Sequence, residues 1–182
     1  MSHALSKDGT IGSIIVSDYL PSGRPVRAIA FDKTPSSNWA LGWHQDRTIW
    51  VEKRNEIFGF GPWTQKQGLL HVEPPFEIIE RMLTVRIHLD DVGIDNAPLL
   101  IAPGSHKRGL IAENAVQKTI DECGTFVCEA NAGDVWIYST PIIHASQKSS
   151  DHARRRVLQV DYSNVELPSG LRWGAEACEW PK

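Results

Sequence analysis

Between residues 26 and 162 the chain is a succession of short, alternating segments separated by turn residues, and this pattern constrains its fold more than any other feature. Leu83-Thr84-Val85-Arg86-Ile87-His88-Leu89 places Leu83, Val85, Ile87 and Leu89 on one face of a strand and Arg86 and His88 on the other. Similar segments cover residues 26–32, 48–53, 99–102, 125–129, 135–138, 142–146 and 155–162, with breaks such as Thr34-Pro35-Ser36-Ser37-Asn38 and Asn131-Ala132-Gly133-Asp134 between them. Many short strands at regular spacing predict a mainly β fold, a sandwich or jelly roll, with a few helices packed outside. The helical signals are short: residues 8–20 behind an Asp8 cap, residues 76–82, and residues 113–122 with Val116 and Ile120 on one side.

A length of 182 residues suits one domain with a sizeable core. Apolar content of 41% with 23% charged residues is that of an ordinary soluble protein. A net charge of -3 gives no support for a nucleic-acid or membrane-surface partner. No run approaches the ~20 apolar residues that cross a bilayer, and residues 1–8 have no secretory signature. Cys123, Cys128 and Cys178 lack zinc spacing and read as free thiols of a reducing compartment, so a cytoplasmic location is expected.

Chemistry enters at Trp43-His44-Gln45-Asp46. On an extended segment His44 and Asp46 point to the same side, so an imidazole and a carboxylate converge, as in the 2-His-1-carboxylate set that holds non-haem iron. A third ligand is then sought among seven histidines. His3 and His152 read as solvated, His71 lies in a long excursion, and His88, His106 and His144 remain. Of these, His144 sits on an apolar strand with Ser146 on its own face, and Arg154-Arg155-Arg156 follows. Three arginines opening a sheet strand suggest that one meets an anion, because a guanidinium donates two parallel hydrogen bonds to a carboxylate. Alternation puts Arg155 on a polar face with Gln159 and Asp161, and Arg156 on a more apolar one, which favours Arg155. Residues 55–75, rich in Gly, Pro and aromatics, read as an irregular lid or binding loop, and four tryptophans from Trp39 to Trp63 as an aromatic-lined pocket or as packing. Residues 167–173 are expected to fold back over a barrel mouth.

Trp43-His44-Gln45-Asp46, Asp95-Asn96-Ala97-Pro98-Leu99 running into Pro103-Gly104-Ser105-His106-Lys107, Gly133-Asp134 ahead of His144, and an arginine beyond it together resemble the phytanoyl-CoA dioxygenase family of Fe(II)/2-oxoglutarate oxygenases. The resemblance covers residues 26–162. It implies a double-stranded β-helix of jelly-roll, cupin-like form, with His44, Asp46 and His144 as iron ligands and Arg155 on the far carboxylate of 2-oxoglutarate. Ser146 matches a position that often contacts the same carboxylate, and Lys33, Asn38 and Arg86 are further candidates on the cosubstrate or substrate side. The Pro-Gly-Ser-His turn is read as structural, which removes His106 as a ligand. The implied activity is hydroxylation of a small organic molecule with O2, releasing succinate and CO2. Asp46 argues against halogenation, since related halogenases replace it with a small residue. Ala97 departs from the glycine common in the family's turn, so that turn is expected to differ. The sequence ahead of His44 is shorter than in larger members, which weakens the expectation of coenzyme-A thioester substrates. A cupin-like metalloenzyme without 2-oxoglutarate, or a non-catalytic metabolite binder, are the alternatives.

Overall fold

The structure, a computed structural model, describes residue 14 and residues 16–66, 68–151, 153–168 and 170–174. Its strands, in chain order, are β1 (Arg24–Lys33), β2 (Leu41–His44), β3 (Ile49–Trp50), β4 (Trp63–Lys66), β5 (Leu69–Val72), β6 (Met82–His88), β7 (Leu99–Ile101), β8 (Phe126–Cys128), β9 (Val135–Ser139), β10 (His144–Ser146) and β11 (Arg155–Ser163). The short helices α1 (Phe76–Glu80) and α2 (Val116–Cys123) join them, and residues 14, 16 and 17 are helical as well. The fold is mainly β, as the alternating pattern predicts. Of the helix expected over residues 8–20, Asp8, Ile11 and Ile15 lie outside the described residues, as do His3, His152 and Cys178.

The chain divides into two compact units, one of residues 1–28, 47–83 and 160–182, the other of residues 29–46 and 84–159. In the first, β3, β5 and β4 form a three-stranded sheet. The excursion expected to be irregular therefore contains a regular hairpin, β4 to β5, in which Trp63 pairs with Val72 and Lys66 with Leu69. Each strand has only four residues and β4 is largely polar, so alternation barely registers, whereas Gly68 at φ 80° supplies the left-handed residue that a tight hairpin needs. The core of this unit gathers Val26, Ile49, Val51, Val72, Ile79 and Trp173. Leu171 and Trp173, from the stretch expected to fold back, are core residues here; Trp173 bridges Val51 and donates its indole N–H to Val165 O at 3.0 Å.

In the second unit, β2, β10, β7 and β8 form one sheet in that order, and residues 29–33, 155–159 and 84–88 join β9 in another, ordered β1-β11-β6-β9. A small apolar cluster of Ala102, Ile111, Ile120 and Ile143 is packed by Trp43 and α2, whose Ile120 faces inward. Of the four tryptophans between Trp39 and Trp63, Trp39 and Trp43 fall in this unit, Trp50 and Trp63 in the other.

The β1-β11-β6-β9 sheet turns a polar face inward. Thr84, Arg86, His88, Gln159, Arg155 and Lys33 are each no more than 5% exposed, whereas Leu89 is 51% exposed. Alternation is kept and, while Val85 on the other face is buried as well, its polar set is buried. Groups of this kind are buried only where partners satisfy them, and their inward direction marks a site.

Candidate metal centre

Strand pairing builds the centre. β10 runs antiparallel to β2 with His144 opposite His44, which sets the two imidazole centroids 4.3 Å apart. Asp46, two residues beyond His44, completes a set whose ligand atoms all lie within 4.8 Å of one another. Among the described residues this is the group of His, Cys, Asp and Glu side chains that can hold a metal ion. His88 and His106 are not in it.

The protonation of both histidines follows from the backbone. His44 Nδ1 lies 2.7 Å from Gly42 O and His144 Nδ1 lies 2.9 Å from Ile142 O. A carbonyl only accepts, so each Nδ1 carries the proton and each Nε2 keeps its lone pair for a metal. His144 is 7% exposed, and burial holds its pKa below the usual imidazole value, which keeps it in the neutral ligating form. The donor set of two neutral imidazoles and one carboxylate suits a divalent iron.

Two residues that sequence reasoning passed over hold these strands in place. Gln45, 5% exposed and directed away from its neighbours, donates to Pro141 O at 2.9 Å and Gly109 O at 3.1 Å and accepts from the Ile111 N–H at 2.8 Å. Ser105, fully buried in the Pro-Gly-Ser-His turn, accepts from the Ile143 N–H at 2.9 Å, one residue before His144. That turn is structural, as its sequence suggests.

The three arginines separate sharply. Arg154 is ion-paired with Asp32 and Arg156 with Asp90, at 2.6 and 2.7 Å, both on exposed side chains. Hydrogen bonding from these guanidiniums holds both carboxyls below the usual range. Arg155 is 2% exposed, meets no carboxylate among the described residues, and donates from Nη1 to Ala97 O. Burial, with the nearby Arg86 charge, lowers its pKa to about 10.

Ala97 O is a hub. It also accepts from the Ser146 hydroxyl at 3.3 Å, and Ser146 Oγ in turn accepts from Lys33 Nζ at 3.3 Å. Lys33, 1% exposed, donates as well to Gln147 O at 2.6 Å, and burial followed by the charges of Arg155 and Arg86 pushes its pKa down to about 8. Lys33, Ser146 and Arg155, far apart in sequence, are thus joined through one carbonyl. The turn that carries it keeps a left-handed backbone: Ala97 has φ 51° although it bears a Cβ. The expectation of a different turn fails, because the carbonyl's direction depends on that conformation.

Arg86 donates to Gln159 Oε1 at 3.0 Å and lies 5.3 Å from the centroid of the Phe31 ring. Asn38 uses both ends of its amide on the Ser149 backbone, at 2.8 and 2.9 Å, so it fixes the loop after β10.

No curated protein matches the chain. Solved structures that resemble it include EctD from S. alaskensis in its apo form, at TM-score 0.57 and 15% identity over 78% of this chain and 45% of that one. HygX from Streptomyces hygroscopicus with nickel, 2-oxoglutarate and hygromycin B bound matches at TM-score 0.52 and 17% identity, over 82% of this chain and 60% of that one. SnoN, a non-heme alpha-ketoglutarate-dependent epimerase from nogalamycin biosynthesis, matches at TM-score 0.53 and 16% identity, over 78% and 49%. These likenesses are of fold, that of cupin-type enzymes, and the chain spans about half the length of EctD and SnoN and three fifths of HygX. The phytanoyl-CoA dioxygenase family model matches residues 17–157, the span that carries His44, Asp46, His144 and Arg155, and the chain belongs to that family.

Proposed function

We propose that the chain is an Fe(II)- and 2-oxoglutarate-dependent oxygenase that hydroxylates a small organic molecule. The observation that carries this reading is the coincidence, in one compact unit, of a His44/Asp46/His144 donor set and a buried Arg155 with no carboxylate partner among the described residues. When bound, iron and 2-oxoglutarate supply the oxidation, in which O2 provides one oxygen atom to succinate and one to the hydroxylated product while CO2 leaves.

The protein's own residues bind and orient. His44 and His144 offer Nε2, and Asp46 a carboxylate, from one side of the centre, leaving the remaining positions to small ligands. Arg155 and the Ser146 hydroxyl hold the distal carboxylate of the 2-oxo acid, with Lys33 and Arg86 adding positive charge around it. Asn38 acts through Ser149, fixing the loop whose Gln147 carbonyl takes the Lys33 ammonium. Burial of these cations lowers the local dielectric and strengthens their hold on an anion. HygX carries nickel and 2-oxoglutarate in its crystal, which supports the same pair of ligands here. SnoN is an epimerase, so product analysis is part of the test.

The test is an anaerobic titration of the Fe(II) protein with 2-oxoglutarate. Chelation gives a visible charge-transfer band, and O2 then gives succinate in proportion to substrate oxidised. Asp46→Ala and His144→Ala abolish both signals, and Arg155→Ala shifts the titration to far higher 2-oxoglutarate whereas Arg156→Ala leaves it nearly unchanged. A wild-type protein that binds Fe(II) but develops no band would point instead to a cupin-like metalloenzyme working without the keto acid.

A further inference from the structure

His88 lies on β6, two residues beyond Arg86 on the same face, and is 2% exposed. A neutral imidazole always carries one N–H and one lone pair, yet neither ring nitrogen of His88 has a hydrogen-bond partner among the described residues. Two more buried nitrogens share that condition on the same two strands: Nε of Arg86 and Nε of Arg155. Leaving such donors unsatisfied is unfavourable for each, so their clustering points to something that satisfies them together.

The register places them side by side. The Leu89 N–H donates to Arg156 O at 3.0 Å, and Arg86 meets Gln159 at 3.0 Å. By the same count His88 lies beside Val157, one alternation from Arg155. His88 does not belong to the metal set. Burial, then the Arg86 and Arg155 charges, push its pKa down to about 4, so the ring is a neutral donor beside two guanidiniums. A carboxylate has about four acceptor sites, more than one guanidinium edge fills. A neutral N–H adds a hydrogen bond there without adding to the repulsion among Lys33, Arg86 and Arg155.

We propose that His88 is a binding residue for the 2-oxo acid, its ring N–H donating to the same distal carboxylate that Arg155 holds. This rests on the 2-oxoglutarate reading above. Two measurements test it on the full chain. The first is calorimetric titration of the Mn(II)-loaded protein with 2-oxoglutarate, which reads binding without turnover. His88→Leu weakens binding about tenfold or more, the effect of one hydrogen bond to a charged group, whereas His88→Gln, which retains an N–H, stays within about threefold. Manganese affinity is unchanged in both. The second uses wild-type protein with 15N-labelled histidine and zinc in place of manganese, where the His88 ring-nitrogen signals move on addition of 2-oxoglutarate. Equal affinity in wild type and His88→Leu overturns the assignment, and so does a His88 signal that does not move, whether or not the leucine variant folds. Absence of binding by the wild type overturns both this assignment and the parent reading; binding indifferent to His88 overturns this one alone.

Discussion

Ala97 holds a left-handed backbone that an L side chain disfavours by about 1–2 kcal/mol. Glycine removes that strain but makes the unfolded chain freer by about 0.4–1 kcal/mol. Ala97→Gly is therefore expected to stabilise the protein by up to about 1 kcal/mol, read as a raised urea midpoint with an unchanged slope. Lys33 gives a pH signature. Its folded pKa of about 8 lies below its ordinary 10.5, so between those values the unfolded chain holds a proton that the folded chain has lost. Stability from this residue then rises with pH through that window, and its full destabilisation is present below pH 8. Relative to Lys33→Met, the wild type is expected to gain stability as pH rises from about 8 to 10.5, read in matched urea titrations. Cys128, raised to about 11, and Tyr162, to about 12, act in the opposite direction but are common to both proteins and cancel in the difference.

At the scale of elements, the site depends on how β2 and β10 are fastened. Gln45 ties the end of β2 to three backbone groups, at Gly109, Ile111 and Pro141. Gln45→Ala strands those groups and is expected to cost roughly 2–3 kcal/mol, lowering the thermal midpoint and, because His44 and Asp46 flank it, weakening Co(II) binding read by absorbance. Alternation located β6, β7, β9 and β11 to within a residue or two, since period-two patterning is a local property of the chain. Pairing is not local. Nothing in His44 or His144 says that they stand opposite each other, and nothing in Gln45 names the three distant backbone groups that it holds. The β4–β5 hairpin was missed for the converse reason: its strands are too short for a period to show.

On the scale of the whole molecule, a net charge of -3 conceals Lys33, Arg86 and Arg155, cations buried without acidic partners among the described residues. Composition does not reveal that arrangement. The motif order indicated the family and the arginine, while the Ala97 carbonyl linking Lys33, Ser146 and Arg155 needed coordinates. Trp173, 2% exposed, anchors the core of the first unit. Trp173→Ala is expected to cost about 3–5 kcal/mol in chemical denaturation, and truncation at Val165 to prevent that unit from folding. The carbonyls of Gly42 and Ile142 have a genetic consequence. In many metalloproteins a side chain fixes the histidine tautomer, and a point mutation can delete it. Here both tautomers are fixed by main-chain atoms that every substitution leaves in place, so the ligating state of the centre is inherited with the strand pairing and with the side chains of Gln45 and Ser105 that fasten it.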